Sequence, residues 1–154
     1  MATRIIPTTQ RITVRIVHRP PEELTSSTMP TILVIEDEPV LLSLARLVLE
    51  NSGYHVLEAA SGDEALALWQ EKKDTVDLVL TDMIMPGSLS GPQVAQMMKA
   101  DNPSLQVIYS SGYNMDTMVD STGETDPKSF LPKPYVPSTL VKAVQDRLQK
   151  RALS

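Results

Sequence analysis

An α/β fold, with a parallel sheet and helices on both of its faces, is what this sequence predicts. Three observations carry the prediction. Short apolar runs alternate with stretches of helical periodicity from Thr31 to the end of the chain. Helix start and stop signals fall between the apolar runs, at Pro39, Gly53, Ser61, Pro92 and Pro137. The 154 residues are 42% hydrophobic and 21% charged, ordinary for one soluble globular domain large enough to bury a core.

The elements follow in order. "TILVI", residues 31–35, is an apolar strand that "EDEP" ends. Pro39 suits the first turn of a helix, because its missing N–H has no helical partner there. That helix runs to about Asn51, with Val40, Leu44, Leu47 and Val48 at helical spacing as its apolar face, and Gly53 stops it. "YHVLEA" is the second strand. Ser61 with Glu64 three residues on is a capping box, opening a helix that carries Ala65, Leu66, Leu68 and Trp69. "VDLVLT" is the third strand, and "DMIMPGSLSG" loops to a helix through Val94, Met97 and Met98. Met83, Met85, Met97 and Met98 read as core packing. "NPS" breaks that helix, "LQVIYS" is the fourth strand, and "FLPKP" holds a short fifth. Pro137 opens the last helix, with Leu140, Val141, Val144 and Leu148 on one side.

Two regions stand apart. Residues 1–30 hold "RITVRIVHR" and then "PPEELTSSTMP", and read as a tail or linker, with one extra strand as the alternative. The folded unit is expected over 31–150, with 151–154 as a C-terminal tail. Between the fourth and fifth strands, Asn114 to Ser129, Met115, Met118 and Val119 support one or two helical turns before Gly123 and Pro127 interrupt them.

Charge and composition exclude several classes. The net charge is −5. Residues 1–30 carry four arginines against two glutamates, a net +2, so the remainder carries −7. An acidic body is a poor candidate for direct nucleic-acid binding. No apolar run is long enough for membrane insertion. No apolar segment follows the first arginines as a secretory signal would require. Cysteine is absent, so there is neither a disulfide framework nor a thiolate metal site. These features fit the cytoplasm.

In such a sheet, ligands bind outside the carboxyl ends of the strands. Glu36, Asp37 and Glu38 follow the first strand, Asp82 the third, Ser110 and Ser111 end the fourth, and Lys133 follows the fifth. Singly, each has an ordinary explanation: a helix cap, a first-turn acidic cluster, a turn serine, a surface lysine. Together they gather carboxylates, a hydroxyl and an ammonium at one edge. Clustered carboxylates repel unless a cation joins them. Oxygen ligands without His or Cys suit a hard ion, Mg2+ above all. A carboxylate so placed is a nucleophile for phosphoryl groups, which makes Asp82 the candidate acceptor. A phosphatase working through an aspartyl phosphate would want a second Asp at the position of Ile84, and a nucleotide-binding loop would want glycines where Glu36 to Pro39 stand.

"TILVIEDEP", "VDLVLTDMIMPG", "VIYSSGY" and "FLPKPY", in this order and spacing, resemble the response-regulator receiver domain of two-component signalling. "SSGY" and "FLPKPYVPSTL" are most similar to receivers of hybrid histidine kinases. The resemblance implies a doubly wound, flavodoxin-like sheet of strand order 2-1-3-4-5 with five helices. It implies Asp82 as phosphoacceptor. Glu36 and Asp37 would bind Mg2+ with Asp82 and the Ile84 backbone carbonyl. Lys133 and Ser111 would contact the phosphoryl group, and Phe130 would be the aromatic that moves with Ser111. Ile84 and Tyr113 would flank the water that removes the phosphoryl group. Glu36 stands where Asp is commoner, the loop after Asp82 is one residue longer than the shortest version, and the helix before the fifth strand looks degraded. The expected function is a signalling switch rather than an enzyme. Its implied partner is a histidine kinase or a histidine phosphotransfer protein, with a homodimer also open. The alternative is a degenerate receiver acting as a phosphorylation-independent scaffold. With the chain ending soon after the last helix, output is expected through protein contacts.

Overall fold

The computed structural model describes residues 29–112, 119–120 and 122–153. The expectation for residues 1–28 lies outside them, as do those for Met115, Met118 and Tyr113. The described chain forms strands β1 (Thr31–Ile35), β2 (His55–Ala59), β3 (Val76–Asp82), β4 (Gln106–Ser111) and β5 (Phe130–Pro132). Helix α1 (Pro39–Asn51) follows β1, α2 (Gly62–Lys72) follows β2, α3 (Gly91–Asp101) follows β3, and α4 (Pro137–Leu153) follows β5. The five strands are all parallel, in the order β2-β1-β3-β4-β5. The doubly wound sheet of the sequence reading is therefore the observed one.

Alternation along the strands builds two cores. Successive side chains of a strand point to opposite faces. In β1, Leu33 and Ile35 enter one apolar layer with Trp69, Val94 and Met98. Ile32 and Val34 enter the other with Leu49, Leu140 and Val144. All four β1 side chains are fully buried, and burying each contributes about 1.5–3 kcal/mol. The indole N–H of Trp69 donates to Asp101 Oδ2 at 2.9 Å, which satisfies it and ties α2 to α3.

Local signals set the boundaries. Ser61 accepts from the Glu64 N–H, and Ser90 with Gln93 forms a complete capping box at the start of α3. Gly53, at φ +95°, takes the left-handed turn that ends α1 and delivers the chain to β2.

Three expectations need correction. Val40, Leu44 and Leu47 do not face the core; all three are exposed, and Ala45 and Leu49 are the buried residues of α1. The helix is apolar on two opposite faces, and the sheet covers only one. Met97 is half exposed while its neighbour Met98 is buried, because adjacent helical residues lie about 100° apart. The last helix continues to Leu153, so residues 151–153 are its final turn rather than a tail. Among the described residues no helix is long and apolar enough to cross a membrane.

Candidate functional site

The carboxyl ends of β1, β3, β4 and β5 converge on one acidic site. Backbone pairing continues past the strand ends and fixes the residues that follow. Glu36 N–H donates to Ala59 O at 3.0 Å, Met83 N–H to Ser110 O at 2.9 Å, and Lys133 N–H to Ser111 O at 2.8 Å. Each functional side chain thus hangs from backbone held by the sheet, not from a free loop.

The sheet brings Glu36, Asp37 and Asp82 together, with one carboxylate oxygen of each within 4.8 Å of the others. Lys133 enters from β5. Its Nζ lies 2.8 Å from Glu36 Oε1 and 3.3 Å from Asp82 Oδ2. The side chains are shielded: 6% exposed for Glu36, 12% for Asp82 and 20% for Lys133. Ser111, at the end of β4, is buried. The sequence-predicted acceptor, acidic pair, hydroxyl and lysine therefore share one edge of the sheet.

Burial sets the electrostatics. It pushes the Asp82 carboxyl above its ordinary value, against the pull of Lys133 and of the Ile84 backbone N–H that bonds it. Glu36 is likewise raised by burial, offset in part by Lys133 and the Glu38 N–H. Burial alone would lower the Lys133 ammonium, but Glu36 and Asp82 outweigh it and raise its pKa. Negative charge at this site is underneutralised, as expected for three carboxylates facing one cation. The donor set, oxygen only and closely spaced, fits a hard divalent ion.

Two expected neighbours sit differently from a simple reading. Ile84 is 55% exposed, so its side chain is largely in solvent rather than packed as a seal. Phe130 is already buried, its ring 6.0 Å from that of Tyr109 between centroids. It faces the α2–α3 layer from the outset.

Sequence reasoning missed two contributors. Gly91, the first residue of α3, lies against the acceptor's backbone: a Cβ built there would sit 1.9 Å from the Asp82 carbonyl oxygen. The same oxygen accepts from Thr81 Oγ1 at 2.9 Å. The one signal in the sequence was a glycine at a helix start, where serine already supplies the cap. Tyr135 is the other. Burial raises its phenol, with Glu36 and Asp82 adding to the shift, so it lies in the field of the site.

The family model described as "Response regulator receiver domain" matches residues 32–145. The chain is 34% identical over 121 residues to the sensor kinase CckA of Brucella abortus, a stretch covering 79% of this chain and 13% of that protein. Across the curated relatives it matches, the chain spans from 13% to 50% of their length. Among solved structures, the receiver domain of the hybrid histidine kinase CckA is 39% identical, with a TM-score of 0.65, covering 77% of this chain and 99% of that one. A response regulator receiver protein from Sinorhizobium medicae is 29% identical, with a TM-score of 0.72, covering 80% and 97%.

Proposed function

This chain belongs to the response regulator receiver domain family, and from that premise we propose that Asp82 accepts a phosphoryl group in a two-component phosphorelay. The observation that carries the reading is Lys133 bridging Asp82 and Glu36 at the centre of three converging carboxylates. That arrangement serves a group which becomes more negative when it reacts.

In the proposed step an Asp82 carboxylate oxygen attacks the phosphorus of a phosphohistidine. The Oδ–P bond forms as the P–N bond breaks, and the departing imidazole keeps the electron pair. Lys133, beside Asp82, donates to a phosphoryl oxygen and offsets its charge. Ser111 offers its hydroxyl to another. A Mg2+ held by Glu36, Asp37, Asp82 and the Ile84 carbonyl would supply the positive charge that the three carboxylates lack. The Ile84 N–H orients the carboxylate before reaction, so little reorganisation is needed.

The phosphoryl group then biases a packing equilibrium through Ser111, Phe130 and the segment between them. Since Phe130 is already buried, the change centres on Ser111 and the residues after it rather than on a long inward swing of the ring. The partner is a histidine kinase or a histidine phosphotransfer protein. Val40, Leu44 and Leu47 on α1, the helix that follows Glu36 and Asp37, and Val136 before α4 are exposed and apolar, and a docking partner would cover them. The protein acts as a switch rather than as an enzyme that turns over a substrate. The scaffold alternative draws no support from a site whose acceptor, lysine and acidic pair are all present and converge.

The test is intact-protein mass spectrometry after incubation with Mg2+ and acetyl phosphate. One phosphoryl group is expected on the wild type and none on Asp82→Asn. Equal incorporation in that variant, or in excess chelator, rules the reading out.

A further inference from the structure

A cavity of about 540 Å3 lies between α3 and the ends of β3 and β4, outside the acidic cluster. That volume is in the usual range for small-molecule sites and far exceeds what one water needs. Its walls are of two kinds. Met83, Ile84 and Pro92 supply apolar surface. Gln96 and Lys99, three residues apart and so on one face of α3, supply an amide and an ammonium, and Tyr109 supplies a phenol from β4. Two of these polar groups are left over. Lys99 is half-buried, and its ammonium meets no carboxylate among the described residues. Tyr109 is buried, and its hydroxyl makes no hydrogen bond to the described residues. Burial pushes that phenol up to about 12, with Glu124 adding to the shift and Arg147 opposing it, so it keeps its proton at neutral pH. Glu124 does not take that proton's bond, since its Oε1 accepts from the Thr125 and Asp126 N–H groups. Buried hydroxyls are nearly always hydrogen-bonded, so a donor left over beside open volume marks where a ligand atom would sit. An ammonium and a phenol both donate, and donors of this kind bind a charged acceptor more strongly than a neutral one. The apolar walls select against an ion that is polar all round.

We infer that this cavity is a second ligand site, for a small organic anion of the aryl carboxylate class. Its charge is met by Lys99, with Tyr109 and Gln96 as hydrogen-bonding partners, and its ring packs on Met83, Ile84 and Pro92. The inference goes beyond the phosphoacceptor reading and does not depend on it. The two sites are neighbours through the backbone. Met83 N–H pairs with Ser110 O, and the Ile84 N–H bonds the Asp82 carboxylate, so an occupant would rest on the segment that holds the acceptor.

Benzoate titrated into the full chain, followed by amide NMR, tests this. The Gln96 side-chain amide and the Met83 and Ile84 backbone amides should shift together and saturate at one midpoint. Lys99→Met keeps the side chain's length and removes its charge, and should raise that midpoint about fivefold, a difference of about 1 kcal/mol. Tyr109→Phe removes only the hydroxyl and should raise it about threefold. Lys142→Met removes a charge from an exposed lysine that pairs with Asp146, and should stay within about twofold of the wild type. Benzamide, the neutral counterpart, and inorganic phosphate, an anion without the apolar body, should each bind the wild type about fivefold more weakly than benzoate. Those two comparisons need no variant and decide the matter even where Tyr109→Phe does not fold. Shifts that stay linear to about 20 mM benzoate, equal binding of benzamide or phosphate, or equal weakening by Lys99→Met and Lys142→Met would overturn the site. Acetyl phosphate labelling of Asp82 would be untouched by any of these results, so the two readings fail separately.

Discussion

Replacing Gly91 with alanine should damage stability and phosphorylation together. The added methyl would lie 1.9 Å from the Asp82 carbonyl oxygen, 2.9 Å from its carbonyl carbon and 3.0 Å from Thr81 Oγ1. An ordinary close carbon–oxygen contact is about 3.3 Å. Roughly 1.4 Å must therefore open between α3 and the end of β3. Neither side yields easily. Gly91 N–H is bonded to Met83 O at 3.1 Å, and the Ser90–Gln93 capping box fixes the start of α3. The Asp82 carbonyl is held by Thr81, and the strand beneath it is paired on both sides. Overpacking into such a place costs about 3 kcal/mol, the upper part of the usual range, because backbone rather than a side-chain tip must move. Alanine's better helix propensity returns less than about 1 kcal/mol at a first-turn position. The net loss of about 2 kcal/mol corresponds to a fall in Tm of about 8 °C for a domain of this size. The assay is thermal denaturation, with urea titration to confirm that the slope is unchanged, alongside acetyl phosphate labelling. Gly112→Ala is the control, since its added methyl meets nothing within 4 Å. A Gly91→Ala protein that melts within about 2 °C of wild type and labels at the same rate would refute the argument.

Further outcomes follow from the same geometry. Burial raises Asp82 and Glu36, so the folded state binds their protons more tightly than the unfolded chain does. Metal-free stability should accordingly fall as pH rises from the ordinary carboxylate range through the raised values, and then level off. The raised Lys133 has the same sign in a higher window: its contribution is complete at neutral pH and is lost only in alkali. Asp82→Asn should therefore raise the metal-free Tm at pH 7 and flatten the acid limb, and urea titrations across pH would reveal an unchanged limb if the reasoning fails. Ile84→Asn should hasten loss of the phosphoryl group by about tenfold, or about 1.4 kcal/mol of barrier, because an amide there can orient the attacking water where Ile84 cannot. Decay followed at fixed Mg2+ and pH decides it, and equal or slower loss refutes it. Leu44→Arg should slow phosphotransfer from a phosphorylated histidine partner while leaving acetyl phosphate labelling unchanged; parallel kinetics with the two donors check this, and equal slowing of both would refute docking on α1.

How far the sequence could be read depended on whether a feature is local. The strands were legible because burial on both faces leaves a continuous apolar run, and the caps because Ser61 and Ser90 bond within their own first turns. The site was legible because a parallel sheet sends every strand's carboxyl end to one edge, so Glu36, Asp82, Ser111 and Lys133 needed only the topology. The failures share a cause. On α1, Val40, Leu44 and Leu47 are as apolar as the residues opposite them, so periodicity names two faces without choosing between them. Met97 and Met98 differ only by one helical step. Gly91 is demanded by a carbonyl nine residues away, and the Glu36–Lys133 bond joins residues 97 apart. Such facts belong to tertiary packing and leave no mark on neighbouring residues.

The same features that make the metal-free site costly make it responsive. Three carboxylates with one shared ammonium are poorer in positive charge than their burial requires, as the raised Asp82 and Glu36 show. Hydrogen bonds from Lys133 and from the Ile84 and Glu38 N–H groups reduce that deficit without removing it. A site left in this condition would gain from added positive charge, which is the chemical basis of the proposed cation site at Glu36, Asp37 and Asp82. Apolar residues at these strand ends would give a more stable sheet with nothing to gain from an arriving ligand. The two apolar layers supply the stability that allows the edge to stay underneutralised. Because Glu36, Asp82, Ser111 and Lys133 hang from neighbouring parallel strands, the proposed phosphorylation of Asp82 would act on several strand ends rather than on one loop. The proposed switch would thus be a property of where the strands end.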